Sequence, residues 1–386
     1  MRGEPHDRQA ALDALTLLSV PRVGVREWHR RVDSAGDRTV FTRSAPRGGV
    51  TQGTDVVGTE STARFAHALR GVSALDRASA EQVALDAIAK ADVSGCTLLI
   101  CGTPSYPAAL HDLTHCGDNS VTPAPPVLFA LGDTTLLEKP AVALVGTRHA
   151  TATGLRAAER IARECAEAGA LVISGLARGV DAAAHTGALA AGGATAAIIG
   201  TGIDIAYPAD HRALQRRIAA EGLLLSEHLP GARANRGSFP ERNRLIAALA
   251  QVTVVVEAGH RSGALLTARV ANAIGRTCAA VPGAFDAAAC LGSNELLRDG
   301  AHVIASVDDV LALLRIARAD DRHATPPHEL TAPERAIWDV LGNAPLELDL
   351  VVERTGWAAD ACLAAVTMLE LKGLIRASHD GALQRA

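Results

Sequence analysis

The fold is decided by the stretch Ala141-Val-Ala-Leu-Val-Gly-Thr-Arg-His-Ala-Thr-Ala-Thr-Gly154. Its first five residues are small or branched and apolar, which predicts a short strand buried on both faces in a parallel sheet. Gly146 breaks this run, and a helical pattern begins at about Thr151. A strand that feeds a helix through a glycine turn directs free backbone N–H groups toward one point. Arg148 adds a planar donor beside that point, so the stretch favours a bound phosphate.

Two familiar phosphate motifs are excluded at this turn. No Gly-Lys-Ser/Thr follows the strand, so it is not a P-loop. Gly146 and Gly154 lie too far apart for the glycine fingerprint of dinucleotide-binding folds. A plain strand–turn–helix corner therefore remains as good an interpretation of this stretch as a phosphate site, and the rest of the chain has to decide.

The composition describes a chain with an aliphatic core and no global excess of positive charge. Its 386 residues suffice for two or three domains, with 48% hydrophobic but only 3% aromatic residues. Lys and Arg number 38 against 42 Asp and Glu, a net charge of -4. A nucleic-acid site would therefore have to be a local basic surface.

Cysteine usage and hydropathy indicate a soluble cytoplasmic protein. No C-x-x-C pair and no His at zinc-ligand spacing from a Cys pair occurs among the seven cysteines, which argues against structural zinc and a disulfide framework. Free thiols fit a reducing compartment. No signal peptide and no apolar run of membrane-spanning length is seen. We expect no metal and no cofactor.

Changes in composition and hydrophobic pattern along the chain divide it into four predicted segments. Residues 1–93 are predicted to form a helical N-terminal accessory domain, with one short helix ended by Pro21 and two more over 63–75 and 80–91; residues 46–58 are predicted to be a loop. Residues 94–315 alternate strands with helices, which predicts a parallel sheet covered on both faces. Residues 316–329 are polar and Pro-rich, as in a linker. The strands are predicted over residues 96–100, 127–131, 141–145, 171–174, 194–200, 222–225, 252–256, 277–281 and 302–305.

Residues 330–386 are predicted to form a winged helix-turn-helix domain. Thr331 and Glu334 have the spacing of a capping box at the start of a helix. A short helix over 348–353 and a third over 358–371 follow. A hairpin after Gly373 completes three helices and a wing.

Polar and glycine residues follow five successive strands of the predicted sheet. Because parallel strands end at the same edge, these residues are expected to converge on one concave site. Asp181 and His185 stand four apart on one helix, which fits either an acid–base pair or an Asp near the helix start bonded to a packed His. No nucleophile stands beside them, so the structural interpretation is preferred. Glu257 is expected to bond the backbone of the loop at Ser262 and Gly263.

The loop from Arg233 to Arg244 combines cations with an aromatic residue. Arg233, Arg236, Arg242 and Arg244 surround Phe239. Single-stranded nucleic acid binds to a cationic track that carries an aromatic face for a base. The alternative is that Phe239 and Pro240 form a hydrophobic staple before a helix starting near Glu241.

The chain resembles the DNA-processing protein A (DprA/Smf) family from about residue 94 to 315. The C-terminal winged helix is similar to one that many members carry, and residues 1–93 resemble the usual N-terminal domain only loosely. The motifs that carry the resemblance stand in family order and are Val145-Gly-Thr-Arg148, Ser174-Gly-Leu-Ala-x-Gly-Val-Asp-x-Ala-Ala-His185, Gly202-Ile-Asp with Tyr207-Pro208, Ser226-Glu227, Phe239-Pro-x-Arg-Asn-Arg-x-Ile246, Ser262-Gly-x-Leu-x-Thr267 and Val281-Pro-Gly283.

The resemblance implies an α/β, Rossmann-like doubly wound parallel sheet that binds single-stranded DNA and forms a homodimer. It implies a recombination mediator that protects incoming DNA and loads the RecA recombinase in natural transformation, without catalysis. The implied DNA-binding residues are Gly146, Thr147, Arg148, Arg178, Arg212, Arg236, Phe239, Arg242, Asn243, Arg244, Ser262, Gly263 and Thr267. The implied structural loop residues are Ser174, Gly175, Gly179, Asp181, His185, Gly202, Glu257, Pro282 and Gly283.

One position departs from the family pattern. Some members have a Lys used for DNA after the Tyr-Pro pair, where this chain has Ala209. Arg212, one helical turn further on, is expected to substitute for it.

Two other classes of function compete with this interpretation. A Rossmann-type nucleotide or nucleoside-phosphate hydrolase would need a Pro-Gly-Gly-x-Gly-Thr run, and the nearest match, at Pro282-Gly283, lacks the second Gly and the Thr. A transcription regulator would read DNA through the third helix of the C-terminal domain. The charges on or beside that helix are Asp360, Glu370 and Lys372, which suit a DNA groove poorly.

Overall fold

A computed structural model describes residues 5–34, 65–116, 121–235, 237–316, 330–341, 346–377 and 382–385. The chain divides into two compact units, residues 1–316 and 317–386. The predicted loop 46–58, residues 317–329 of the predicted linker, and Arg236 lie outside the described residues.

The first unit is built on one sheet of nine strands, in the order β1-β2-β6-β5-β4-β3-β7-β8-β9. β3 to β9 are mutually parallel where they pair, whereas β1 and β2 pair antiparallel with each other and β2 antiparallel with β6. The strands are β1 (Thr97–Ile100), β2 (Val127–Gly132), β3 (Ala141–Gly146), β4 (Leu171–Ser174), β5 (Thr195–Ile199), β6 (Leu223–Ser226), β7 (Val252–Glu257), β8 (Thr277–Ala280) and β9 (His302–Val303).

The α/β class and the strand positions predicted from the sequence are confirmed, each strand to within two residues. The antiparallel edge made by β1 and β2 was not predicted, because a run of buried apolar residues carries no information about strand direction.

Helices connect the strands and cover both faces of the sheet. The helices of the first unit are α1 (Pro5–Ser19), α2 (Val25–Ser34), α3 (Ala74–Val93), α4 (Ala152–Glu167), α5 (Val180–Ala190), α6 (Arg212–Glu221), α7 (Ser238–Leu249), α8 (Ala264–Ala273), α9 (Leu291–Arg298) and α10 (Val307–Leu314). Shorter helical turns occur at 65–68, Leu69–Gly71, Ala108–Leu110, His111–Thr114, Thr134–Glu138 and Ala209–His211.

β3 contributes side chains to the apolar clusters on both faces of the sheet. Successive side chains of a strand point to opposite faces. Ala141, Ala143 and Val145 accordingly pack into one apolar cluster, and Val142 and Leu144 into another on the opposite face. Both faces of β3 are buried, as its uninterrupted apolar run predicts.

The position of β3 in the sheet creates a cleft. β3 pairs with β4 on one side and with β7 on the other. The chain winds in opposite directions from this point, and ligands of such sheets bind beyond the carboxyl ends of the strands there. The turn after β3 therefore lies where the fold places a site.

The N-terminal helices share the core of the sheet. α1 ends at Ser19, two residues before Pro21, as predicted. α3 begins at Ala74, where the Ser73 hydroxyl accepts a hydrogen bond from the Asp76 amide, so the helix predicted over 80–91 is longer than expected. The described part of the helix predicted over 63–75 ends earlier, in helical turns over 65–71, and residues 63 and 64 lie outside the described residues. Trp28 and Phe65 belong to the same apolar cluster as β1 and β2. The domain boundary at 93 stays a prediction.

The second unit is a winged helix. Its elements are α11 (Ala332–Val340), α12 (Leu348–Thr355), α13 (Ala359–Leu371) and the antiparallel pair β10 (Ile375–Ala377) and β11 (Leu383–Arg385). The predicted capping box of Thr331 and Glu334 is present. Cys362, Val366 and Leu369 of α13 face the core, as the helical spacing predicts. The predicted winged helix is confirmed.

Candidate functional site

A cleft with a volume of about 860 Å³ lies beyond the carboxyl ends of β3 and β7. We call it the rim cleft. It gathers residues from the loops after these strands, from α7 and from the start of α8. The predicted site residues that line it are Gly146, Thr147, Arg148, Asp181, Phe239, Arg242, Asn243, Ser262, Gly263 and Thr267.

The turn after β3 is held in shape by close backbone packing. A Cβ on Gly146 would lie 2.4 Å from the Val180 Cγ2 and 2.9 Å from the Glu257 carbonyl oxygen, so only glycine fits. The Thr147 amide donates to that same carbonyl at 2.8 Å. With the backbone fixed in this way, the exposed side chain of Arg148 stands at the mouth of the rim cleft.

An aromatic pair stands beside Arg148. The Arg148 Cζ lies 5.4 Å from the centre of the Phe239 ring, and the Phe239 ring lies 5.0 Å from the Tyr207 ring at an angle of 35°. Tyr207 is 45% exposed. It was not among the predicted site residues, although the Tyr207-Pro208 motif and the scarcity of aromatics could have indicated it. The cation and both rings can contact one ligand group.

Phe239 lies in the first turn of α7. α7 begins at Ser238, because the Asn235 carboxamide oxygen accepts hydrogen bonds from the amides of Gly237 (2.8 Å) and Ser238 (2.9 Å). The predicted helix start near Glu241 is therefore wrong, and Phe239 does not precede its helix as a hydrophobic staple would. It is half-buried, with one side against Gly200 and Tyr207.

Arg242 is buried, contrary to the exposed basic track that the sequence predicted. Its side chain donates to the carbonyl oxygens of Gly175 (2.6 Å) and Ile198, at the carboxyl ends of β4 and β5. A Cβ on Gly175 would lie 2.5 Å from the guanidinium nitrogens. Burial lowers the pKa of Arg242 to about 10, with Asp181 acting in the opposite direction, so the group keeps its charge at neutral pH. Arg242 forms the floor of the rim cleft.

Asp181 provides the counter-charge. Its carboxylate accepts hydrogen bonds from the amides of Gly175 (3.2 Å) and Ala177 (3.3 Å), in the loop between β4 and α5. Burial raises its pKa, whereas Arg242 and the two amides lower it. The carboxylate thus fixes the loop that begins at Ser174, whose hydroxyl donates to the Leu144 carbonyl at 2.6 Å. Gly179 adopts a φ of 78° where this loop enters α5.

His185 is not a partner of Asp181, so both interpretations offered for this pair were wrong in that respect. The described hydrogen bond of its Nδ1 is to the Thr195 hydroxyl, at 2.7 Å. Burial lowers the pKa of His185 to about 3, and the charge of Arg242 acts in the same direction. An imidazole this hard to protonate is a structural group.

Arg244 is also buried and lies outside the lining of the rim cleft. Its guanidinium contacts the Glu227 carboxylate at 2.5 Å, with side-chain exposures of 3% and 7%. The prediction that Arg244 lines the DNA pocket is corrected: Glu227, directly after β6, pairs with this cation in the interior. Arg233 remains exposed on the preceding loop.

Glu257 caps α4 rather than the loop at Ser262 and Gly263, where the sequence placed its partners. Its carboxylate accepts hydrogen bonds from the Thr151 amide (2.9 Å) and the Thr151 hydroxyl (2.5 Å). Since β7 lies directly beside β3, its last residue reaches the helix that follows β3. The prediction missed this because the order of the strands was not known.

The far wall of the rim cleft is the start of α8. The Asn243 side chain donates to the Gly263 carbonyl at 3.4 Å and so ties α7 to this wall. Thr267 is buried one turn into α8, and Ser262 is partly exposed before it. The positive end of α8 therefore borders the cleft that Arg148 also lines.

Two predicted structural glycines hold neighbouring loops. The Gly202 amide donates to the Ala232 carbonyl at 2.8 Å, which fixes the long loop after β6. The Gly283 amide and carbonyl bond the Asn294 side chain, each at 3.1 Å, and its predecessor Pro282 is exposed.

Arg178 and Arg212 lie outside the lining of the rim cleft. Arg178 pairs with Asp210 at 2.5 Å and borders a smaller cavity of about 50 Å³ behind Phe239. Arg212 is exposed at the first residue of α6 and lines neither cavity. Its substitution for a basic residue at Ala209 stays a prediction.

The described ranges contain no cluster of three His, Cys, Asp or Glu residues arranged to hold a metal ion. Among the same residues, no helix combines the length and apolar character needed to cross a bilayer.

The fold and the rim cleft define a Rossmann-like protein that carries a separate winged-helix unit. A model of the family described as DNA recombination-mediator protein A matches residues 97–315, and one described as the DprA winged helix domain matches residues 321–381. The chain belongs to the DNA recombination-mediator protein A family.

Relatives and a solved structure agree with this assignment. The chain is 42% identical over 258 residues to the putative DNA processing protein DprA of Mycobacterium tuberculosis strain H37Rv, which covers 65% of this chain and 66% of that relative's length. It is 34% identical over 309 residues to protein Smf of Synechocystis, covering 70% and 76%. The X-ray structure of DNA processing protein A from Streptococcus pneumoniae matches with a TM-score of 0.58 and 30% identity, over 81% of this chain and 98% of that one.

Proposed function

We propose that the rim cleft binds single-stranded DNA and that the protein is a recombination mediator in the cytoplasm, without catalytic activity. In this role it protects incoming DNA in natural transformation and loads the RecA recombinase, acting as a homodimer. The observation that carries the proposal is the distance of 5.4 Å between the Arg148 guanidinium and the Phe239 ring. It brings a cation that can bind a phosphate and an aromatic ring that can stack on a base to one point of the cleft.

The geometry favours a single strand over a duplex. Phe239 is half-buried in the rim cleft, which Arg148 and the start of α8 also line. A base must leave its stack to reach that ring, which an unpaired strand allows at low cost. Two anion-binding groups in one cleft can each contact a backbone phosphate of the strand.

The buried cations support the same assignment indirectly. Arg242 and Arg244 are occupied by carbonyl oxygens and by Glu227, so phosphate contacts fall to exposed groups, Arg148 foremost. Asp181 and His185 have separate structural partners, which argues against an acid–base pair at these two positions.

The test is a comparison of single-stranded with double-stranded oligonucleotides of one sequence, binding to the full chain by fluorescence anisotropy. Tighter binding of the single strand, falling as salt rises, is the expected result. Equal affinity for the single-stranded and the double-stranded oligonucleotide would contradict the proposal. Incubation with nucleoside monophosphates should release no free base, and release would instead favour a hydrolase. Strand-exchange assays with RecA, and sedimentation analysis, test the loading and dimer components.

A further inference from the structure

The outward face of α13 in the winged-helix unit carries three exposed apolar side chains. Leu371 is 77% exposed, Leu363 is 55% and Met368 is 46%. At 100° per residue these three side chains fall within an arc of about 140°, opposite the buried face of α13. We call them the α13 stripe. The outward face of a helix in a soluble domain is normally polar, so α13 exposes apolar surface on the side that faces away from its own core.

Small side chains lie between the residues of the stripe. Ala364 and Thr367 are both exposed and fall within the same arc. Short side chains between long apolar ones leave grooves into which the ridge of another helix can pack. The shape of the face therefore suits a helix as partner.

The charges around the α13 stripe oppose a nucleic-acid partner. The second helix of a helix-turn-helix reads the major groove with Arg, Lys, Asn or Gln side chains. α13 carries Asp360 and Glu370, and the Lys372 ammonium beside it contacts the Glu334 carboxylate at 2.8 Å. Residues 330–386 contain eight Asp or Glu and five Lys or Arg, a net charge of −3. A phosphate backbone would be repelled by such a unit.

We propose that the α13 stripe is the docking site for an amphipathic helix of another protein, whose apolar face is flanked by Lys and Arg. The apolar residues of that helix would pack on Leu363, Met368 and Leu371. Its basic flanks would face the negative charge of the winged-helix unit, which steers association and selects the partner. A second copy of this chain is a poorer fit, because it would bring another unit of the same negative charge.

The proposal is tested on the full chain with two labelled amphipathic helical peptides. Both peptides share one Leu face, and their polar positions are Lys in one and Glu in the other. The Lys peptide should bind with a dissociation constant on the order of micromolar, and the Glu peptide at least about tenfold more weakly. Leu371→Glu and Met368→Glu should each weaken the Lys peptide by about tenfold or more.

Leu75→Glu is the matched control, because Leu75 is 82% exposed on α3 in the other unit. It should bind the Lys peptide as the wild type does. All three variants should keep the wild-type unfolding temperature and single-strand affinity, which separates this proposal from that for the rim cleft. Equal binding of both peptides, or unchanged binding by the α13 variants, would overturn it. If Leu371→Glu abolished dimers, the α13 stripe would instead bind a second copy of this chain. If it abolished binding of duplex DNA, the stripe would instead bind DNA.

Discussion

The guanidinium carbon of Arg148 lies 5.4 Å from the centre of the Phe239 ring. Arg148 follows β3 and Phe239 lies in the first turn of α7, so the contact joins two elements that are far apart in the chain. A cation above a ring face is itself favourable, and both groups line the rim cleft. The two side chains can therefore act on neighbouring parts of one nucleotide, the phosphate and the base.

Phe239→Ala removes the stacking face without removing charge. Loss of a stacked base costs about 1–3 kcal/mol, so the affinity for single-stranded DNA should fall between about 5-fold and 150-fold. The slope of affinity against salt should stay as in the wild type, because no phosphate contact is lost. Fluorescence anisotropy across a salt series measures both quantities. An unchanged affinity would mean that the ring packs only on Tyr207.

Arg148→Ala should change the salt dependence as well as the affinity. Each phosphate neutralised on a single strand contributes about 0.7 to the log–log slope, so the slope should become shallower by about that amount. Arg216→Ala is the matched control, since Arg216 is an exposed Arg on α6 outside the rim cleft. If both variants lose the same slope, the effect is one of overall charge and the cleft assignment fails.

Arg242→Ala should act on folding first. The substitution removes the donors to the Gly175 and Ile198 carbonyls and leaves Asp181 buried without its counter-charge. Leaving buried carbonyl oxygens without their donors costs about 1–3 kcal/mol of unfolding free energy for each of them. Urea denaturation followed by circular dichroism measures the change. Arg212→Ala, at an exposed position, should stay within about 0.5 kcal/mol of the wild type. A stable Arg242→Ala protein would contradict the structural role.

The sequence predicted the sheet well because the strands are buried on both faces. In β3 and β7 every apolar residue of the run is covered, so a continuous apolar stretch was a sufficient signal. The convergence of the loops also followed, since parallel strands end at one edge. The hydrophobic pattern of the sequence does not predict the order of the strands in the sheet. For that reason the cap that Glu257 provides to α4, across the β3–β7 pair, was assigned to the wrong loop.

The arginines of α7 show the other limit of sequence reasoning. A run of Arg beside a Phe favours an exposed basic track, because isolated cations are seldom buried. Arg242 and Arg244 are buried here because carbonyl ends of β4 and β5, and Glu227 after β6, supply their partners. Those partners come from distant parts of the chain and can be identified only once the sheet is assembled.

Gly154→Ala should destabilise the protein through Glu257. A Cβ on Gly154 would lie 2.5 Å from the Glu257 Oε2, which is buried and already bonded to Thr151. Such overpacking costs about 1–3 kcal/mol. Gly263→Ala is the matched control, because nothing lies within 4 Å of its Cβ position, and it should change stability by less than about 0.5 kcal/mol. Urea denaturation of both variants gives the comparison, and equal stabilities would refute the contact.

The hydrogen bonds of His185 define which of its nitrogens carries the proton. The Thr195 hydroxyl gives its single hydrogen to the Val172 carbonyl at 2.9 Å, so it must accept from His185 Nδ1–H. The Nε2 then has a lone pair with no described hydrogen-bond partner. Burial disfavours protonation of this nitrogen, and the charge of Arg242 acts in the same direction, so the folded pKa falls to about 3 from the ordinary 6.5.

This depressed pKa makes stability depend on pH. Between pH 6.5 and about 3 the unfolded chain binds a proton at His185 that the folded protein does not, so unfolding becomes easier as the pH falls. The free energy of unfolding is not reduced by His185 above pH 6.5, and it should decrease by about 1.4 kcal/mol per pH unit below that pH. His185→Asn keeps an N–H near the Nδ1 position but does not titrate. The unfolding free energy of this variant should therefore depend less steeply on pH than that of the wild type. Urea denaturation of both proteins from about pH 7.5 to about pH 5 measures the difference, in which other titrating groups such as His29 cancel. Parallel curves would show that His185 is protonated in the folded state.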